Sequence, residues 1–422
     1  MVAIRPFRAL RYNPELAPDL SQVIAPPYDV IGSQEQERLY QASPYNVIRL
    51  ILGNASAADT EQDNRYTRAQ RDFAAWRESR VLREDAAPAL YLIRHAYADR
   101  GQPRSRLGFI ALLNVDESTP RAVYRHEHTL AAPKADRTKL LEAVPASLEP
   151  IFCVYPDEQG ATQAALEALA RQQPPTATGA INGEAVELWA ITTPSHIEAI
   201  VRTLASTAVL IADGHHRFEV AYASRERYGA VMTYFVSMAD PGLVLRPIHR
   251  TVAAPAADLP ILRELCELAP SRDEAALSRW LEQGEGQGRF GYYDGTTLHE
   301  VTVRAEQLAR WLMAPPVPLP LAALEVSLLH SLILPRAGGG EVRYTADVAH
   351  AIRSVDDGDA RSAWLLRGIP LPQVYALAAQ GLTMPPKSTY FYPKVPSGLT
   401  IHAFTECAGV TKSPRHKVTG DV

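Results

Sequence analysis

A chain of 422 residues with 46% hydrophobic and 21% charged residues has material for more than one packed core, and too much of it for a disordered polymer. Its formal charge of -4, a pI near 6.3 and the lack of any run of like charge argue against a basic nucleic-acid or membrane-surface binder. Thirty-three prolines favour turns and loops over long helices, so the expected class is α/β in the mixed, α+β sense.

Residues 1 to about 55 are rich in Pro and Tyr, and the apolar run Val47–Leu52 reads as a strand. Tyr66, Ala69, Phe73 and Trp76 recur at helical spacing and predict a helix from Asn64 to Ser79. Leu90–Ile93, Leu107–Leu113 and Ile151–Tyr155 predict strands of a sheet. A β-α-β-α rhythm follows: strand Val186–Ile191, helix His196–Ser206, the short apolar strand Ala208–Ile211 and helix Arg217–Tyr228. Gly284–Gly288 reads as a loop, Phe290–Gly295 as one arm of a hairpin, and Pro315–Pro320 as a linker or the lead-in to a helix. Leu324–His330 begins an amphipathic helix, and Ala337–Gly340 reads as a flexible loop. The last twenty or so residues lose periodicity, the pattern of a disordered tail. The expected division is a mixed α/β region (1–160), a core around residue 213 (161–255), a C-terminal α/β region (256–402) and the tail (403–422).

The segment Met1–Arg8 lacks a signal peptide's apolar core, and no stretch approaches the roughly 20 apolar residues of a membrane helix. Cys153, Cys266 and Cys407 are odd in number and widely spaced, without disulfide or metal-ligand spacing. The expected location is the cytoplasm. Only six of 43 basic residues are lysines: Lys134, Lys139, Lys387, Lys394, Lys412 and Lys417. A compact ammonium is hard to replace by a guanidinium fork where it must reach a phosphate, which marks Lys134 and Lys387 as candidates.

Three clusters carry chemistry. In Asp213-Gly214-His215-His216-Arg217 a buried strand passes into a helix, where free N–H groups and the positive dipole end favour an anion. Gly214 allows close approach of a ligand, while His215, His216 and Arg217 add donors suited to phosphate oxygens. Asp213 is placed to hold Mg²⁺ or to activate a hydroxyl. The plainer alternative is that Asp213 caps the helix and the histidines are incidental. In the second cluster, His126-Glu127-His128 and Lys134 to Arg137, Glu127 is a candidate general base, with Lys134 and Arg137 as phosphate clamps. A solvated, salt-bridged loop is its alternative. The third, Met384 to Lys394, sets Lys387 and Lys394 among aromatics, able to close over a ligand; it lacks the glycines of a P-loop, and an aromatic strand packed on the core is its alternative. Ala25-Pro26-Pro27-Tyr28-Asp29 reads as a shaped loop able to line a pocket, and His249-Arg250 is a weaker signal.

These clusters, with Arg5-Pro6-Phe7-Arg8-Ala9-Leu10-Arg11-Tyr12 and Pro44-Tyr45-Asn46-Val47-Ile48-Arg49-Leu50, resemble a bacterial and archaeal family known as the domain of unknown function "ten-fifteen", often labelled ParB-like or SpoOJ-like. The resemblance runs from about residue 3 to about residue 400 and is specific at the three clusters. The Asp-Gly-His-His-Arg turn is also similar to that of ParB/sulfiredoxin-like folds, including free serine kinases. That similarity implies a ParB-like core and a phosphate site at Asp213, Gly214, His215, His216 and Arg217. It also implies a catalytic glutamate, for which Glu127 is the candidate.

The expected function is thus a small-molecule phosphotransferase, a free L-serine kinase in its most specific form, using a nucleotide or pyrophosphate with Mg²⁺. Catalysis would come from positioning and charge neutralisation, with Asp213 as metal ligand and Glu127, Asp213 and His216 as catalytic groups. A homo-oligomer is compatible with the sequence; a membrane or nucleic-acid partner is not expected. The second reading is a ParB-like nucleotide-binding regulatory or interaction protein without turnover.

Overall fold

The apolar run Leu107–Leu113 lies in a 13-residue strand, Gln102–Asn114, whose last nine residues are buried but for Asn114. Flanked on both sides by partners, it forms the spine of a nine-stranded mixed sheet. In this computed structural model, which describes residues 2–253, 259–283, 286–336 and 340–404, the sheet belongs to the first of two compact units. That unit comprises residues 1–123, 129–242 and 394–422; the second comprises 124–128 and 243–393. The mixed α/β class expected from composition is the class observed.

In this sheet the strand order is Val123–Tyr124, Val209–Asp213, Ile151–Tyr155, Ala230–Ser237, Gln102–Asn114, Leu90–Asp99, Glu184–Ile191 and Ala177–Ile181, with Ile4–Arg5 added to Gln102–Asn114. Only the pair Ile151–Tyr155 with Ala230–Ser237 is parallel among the registered pairs of this sheet. The β-α-β-α rhythm of residues 186–228 is real as a succession of elements, yet Glu184–Ile191 and Val209–Asp213 are not neighbours. Sequence rhythm reports the period of each element and is silent on which strands pair. The core holds Trp189, Phe109, Phe235 and Tyr155, with the rings of Phe109 and Phe235 stacked 5.3 Å apart. Each such ring removed from water contributes about 2–3 kcal/mol.

The predicted helix appears as Arg65–Glu78, started by a capping box. Asn64 accepts from the backbone of Tyr66 and Thr67, and the Thr67 hydroxyl accepts from the Asn64 N–H. The expected strand Val47–Leu52 is instead a short helix, Ile48–Ile51. Asn46, fully buried, causes this: its Oδ1 accepts the Ile48 N–H at 2.9 Å, and its amide donates to the carbonyls of Gln22 and Ile24. A six-residue apolar run has no period that separates a strand from a buried helical turn.

The second unit contains a six-stranded antiparallel sheet in the order Cys266–Pro270, Leu298–Val303, Arg289–Tyr293, Ser362–Leu365, His249–Val252 and Val342–Thr345. A two-stranded ribbon, Val244–Arg246 with Tyr390–Tyr392, completes it. The hairpin arm expected at residues 290–295 is present as Arg289–Tyr293 paired with Leu298–Val303. The helix expected from Leu324 is one turn, Glu325–Leu328, that continues as a π-helical turn over Leu329–Ile333. Residues 284–285, 337–339 and 405–422, covering much of the predicted loops and tail, lie outside the described residues.

The two units divide the chain differently from the expected four regions. Strands from both sides of residue 160 share one hydrogen-bonded sheet, so that boundary has no counterpart in it. His402–Ala403, at the expected start of the tail, is a strand paired with Ala146–Ser147. His402 packs edge-on against Phe7 and Phe404, at 5.3 and 5.2 Å between ring centroids. Burial, aided by the Arg5 charge, pushes its imidazole from the ordinary 6.5 down to about 4. The unfolded chain therefore binds a proton below about 6.5 that the native fold refuses until about 4. Stability is expected to be intact above that window and to fall by about 2 kcal/mol across it, allowing for partial solvation. Denaturant unfolding between pH 7 and 4 checks this, with His402→Phe expected to flatten the slope.

Candidate functional site

The strand Val209–Asp213 is buried along its whole length and ends at the first cluster. Its register with Ile151–Tyr155 shifts between Ile211, opposite Cys153, and Asp213, opposite Phe152. This irregularity at the strand's end re-aims the side chain that follows it. Gly214 then takes φ 90°, ψ 30°, the left-handed region that glycine enters without penalty, and the helix His215–Ala223 begins. A Cβ at Gly214 would lie 3.1 Å from Arg217 Nε, from Arg217 Nη2 and from Ile151 Cγ2.

Arg217 folds back over this turn. Its Nη2 donates to Asp213 Oδ2 at 2.7 Å and its Nη1 to the Pro150 carbonyl at 2.5 Å. Its Nε is buried with no hydrogen-bond partner among the described residues. Lys394 pairs with the other oxygen, Asp213 Oδ1. One carboxylate thus sits between two cations, and the Arg217–Asp213–Lys394 group carries a net positive charge. All three side chains are mostly buried, at 11%, 9% and 14% exposed, so the charges act through a medium that screens them weakly.

His216 Nε2 accepts the Leu130 N–H at 2.9 Å, which assigns that ring's proton, when neutral, to Nδ1. Leu130 directly precedes the helix Ala131–Ala143, so His216 joins the N-termini of two helices. His215 is buried, and its backbone N–H is the part of it that lies at the helix start. Lys134 lies in the first turn of Ala131–Ala143, half-buried, and no carboxylate pairs with its ammonium among the described residues.

Arg137, expected to clamp phosphate, is buried and makes four hydrogen bonds within the protein. It binds Asp136 through Nε and Nη2, the Ile51 carbonyl at 2.9 Å and Glu149 at 3.4 Å, while its guanidinium lies 3.9 Å from the centre of the Tyr28 ring. Glu149, also buried, accepts from the Tyr28 N–H and the Ser397 hydroxyl, both at 3.1 Å. The Pro26-Pro27-Tyr28 loop is thereby tied to the same region. Burial pushes the Tyr28 phenol up to about 12, against the pull of the Arg217 and Arg137 charges. A cavity of about 70 Å³ is lined by Arg137, Glu149 and Arg217 together with Leu148, Val220 and Phe404.

Glu127 and Lys387 belong to the second unit, where the Lys387 N–H donates to Glu127 Oε1 at 3.2 Å. The first unit therefore gathers Asp213, Gly214, His215, His216, Arg217, Lys134 and Arg137, and the second brings Glu127 to Lys387. Sequence reasoning missed Glu149 and Ser397, and read Lys394 only as closing over a ligand and Tyr28 only as part of a pocket-lining loop. The scarcity of lysine was a usable signal for Lys394; for Glu149, one acidic residue among 47 Asp and Glu, there was none.

Asp213 as a Mg²⁺ ligand does not fit this arrangement. Both its oxygens are taken by cations, and a divalent ion would have to displace one against its charge. No group of three His, Cys, Asp or Glu among the described residues is arranged to hold a metal. Nor is any helix among them long and apolar enough to cross a membrane.

Comparison with curated proteins finds no match. Among solved structures, the chain is similar to a conserved hypothetical protein from Pyrococcus furiosus, at 12% identity over 67% of this chain and 92% of that one, with a TM-score of 0.34. It is similar to a free serine kinase in complex with AMP, at 12% identity over 64% and 83%, TM-score 0.34. SbnI with a C-terminal truncation, from Staphylococcus aureus, matches at 11% identity over 70% and 87%, TM-score 0.37. Identities this low transfer no activity. The sequence model of the family described as Protein of unknown function (DUF1015) matches residues 4–327, and the chain belongs to that family.

Proposed function

We propose that the chain is a small-molecule phosphotransferase whose Asp213–Arg217 turn receives a phosphate of the donor, a nucleotide or pyrophosphate. The observation that carries this reading is the buried Nε of Arg217, left without an acceptor beside the bare Cα of Gly214. A buried guanidinium N–H without an acceptor is costly, and a phosphate oxygen supplies one. The start of the helix His215–Ala223 and the Lys394 ammonium add to the attraction. Lys134 supplies further positive charge, and Arg137 supports the site by holding Tyr28 and Glu149. Magnesium enters this proposal on the phosphates of the donor, with no ligand from Asp213. Glu127, in the second unit, has its Oε1 on the Lys387 N–H and is given no part in the chemistry of this turn. Among acceptors L-serine comes first, from the resemblance of the turn to that of ParB-like free serine kinases.

The test is donor consumption by the purified protein with ATP, ADP or pyrophosphate, each with Mg²⁺ and L-serine. Serine-dependent consumption with O-phosphoserine appearing supports the reading. His216→Ala, which releases Leu130, is expected to lower turnover at least about 100-fold with the fold retained, and unchanged turnover would refute the assignment. One observation favours the second reading, a ParB-like nucleotide-binding protein without turnover: both oxygens of Asp213 are engaged, so the turn itself is equipped for binding more than for proton transfer. Donor binding with no consumption under any acceptor would select it.

A further inference from the structure

Arg250 is the second unit's most unusual charge. It is fully buried on the strand His249–Val252, and no carboxylate pairs with it among the described residues. A buried cation without a counter-ion is expensive, so its hydrogen bonds need a purpose. Its Nη1 donates to the Ile248 carbonyl, its Nη2 to the Lys387 carbonyl at 2.9 Å, and its Nε to His330 Nε2 at 3.1 Å. His330 is on the π-helical turn Leu329–Ile333, a rare element that is frequent at functional sites. Its ring stacks on Tyr344 at 6.5 Å. Burial beside Arg250 pushes it down to about 4, so it stays neutral and accepts.

The other end of this chain of contacts is strained. Lys387 has φ 56°, rare for a residue with a side chain. Its carbonyl is held by Arg250 and its N–H by Glu127 Oε1, so the peptide units on both sides are clamped. Around it, the Ser388 hydroxyl donates to the Pro385 carbonyl at 2.6 Å, the Met384 N–H to the His126 carbonyl at 3.0 Å, and Thr389 bonds His126 Nε2 at 2.8 Å. Every bond serves the backbone or a neighbour, and no carboxylate pairs with the Lys387 ammonium among the described residues.

We propose that Arg250, seated by His330, is a positioning residue that holds Lys387 in its left-handed backbone so that its ammonium meets an anionic ligand. This rests on the sequence reading of Lys387 as a candidate for contact with a phosphate group. Arg250 touches no ligand itself; it acts through the Lys387 carbonyl.

The experiment uses the full chain with pyrophosphate as probe and two readouts, amide hydrogen exchange at residues 387–389 and pyrophosphate affinity. His330→Phe keeps a ring for Tyr344 and removes the acceptor for Arg250. It is expected to speed exchange there and weaken pyrophosphate about tenfold. Lys387→Gly tolerates the left-handed backbone and loses the ammonium, with a similar expected loss. The double variant is expected to bind no more weakly than Lys387→Gly alone, whereas a merely structural role for His330 would make the losses add. His330→Gln, which keeps an acceptor, is expected to restore both readouts. Unchanged exchange in His330→Phe, or additive losses, overturns the proposal even if the wild type binds pyrophosphate. Faster exchange in a protein that binds no phosphate compound would instead sink the functional reading and leave the backbone clamp standing.

Discussion

Asp213→Ala is expected to lower stability by about 3–5 kcal/mol, far more than the loss of a surface carboxylate. Asp213 pairs with both Arg217 and Lys394, and all three side chains are largely withdrawn from water. Removing it takes away the counter-charge that a guanidinium and an ammonium share and leaves their mutual repulsion. Asp213→Asn keeps an acceptor for one of them and is expected to lose less. The phosphate reading makes this more than a stability statement. If the turn receives an anion, inorganic phosphate would supply the missing negative charge, so its addition is expected to raise the unfolding midpoint of Asp213→Ala more than that of the wild type. Unfolding followed with and without phosphate decides both parts. A variant within about 1 kcal/mol of wild type would show that the triad is not the electrostatic centre of the turn.

What was legible in the sequence followed the length and periodicity of the signal. The helix at 65–78 and the strands at 90–99, 102–114 and 151–155 announced themselves through apolar spacing sustained over many residues. Val47–Leu52 did not, because Asn46 decides its conformation through contacts with Gln22 and Ile24 that are distant in sequence. Partition into units was equally hidden. Residues 394–404 return to the first unit after an excursion of 151 residues, 243 to 393, and nothing in composition marks the return.

The candidate site divides in the same way. Asp213 to Arg217 was readable because buried strand, glycine and helix are local features, and local sequence places their charges. That Lys394 would close on Asp213, 181 positions away, required the fold. Arg137 shows the converse: its type suits a phosphate clamp, and the fold commits four of its five donors to Asp136, Glu149 and Ile51. Residue type restricts what a side chain can do, and only its neighbours reveal whether its hydrogen-bonding capacity is already spent.

Gly214→Ala is expected to cut the affinity for a phosphate donor by about 100-fold or more while the protein still folds. Two effects combine in this small change. At φ 90° a residue with a side chain is strained by about 1–2 kcal/mol. The new methyl would also stand 3.1 Å from both Nε and Nη2 of Arg217 and from Ile151 Cγ2. Ile151 is held in the sheet, so the guanidinium is what must yield. Moving it loosens its bonds to Asp213 and Pro150 and fills the space beside Nε where the donor's oxygen is proposed to sit. Gly160→Ala separates the two effects. Gly160 also starts a helix, at φ 62°, but a Cβ there meets nothing within 4 Å. Both variants are expected to lose some stability, and only Gly214→Ala to lose donor binding. Titration of each with pyrophosphate, beside thermal unfolding, reads the two effects apart. Equal affinities would mean that Arg217 does not face the phosphate, and the search for the donor site would move away from this turn.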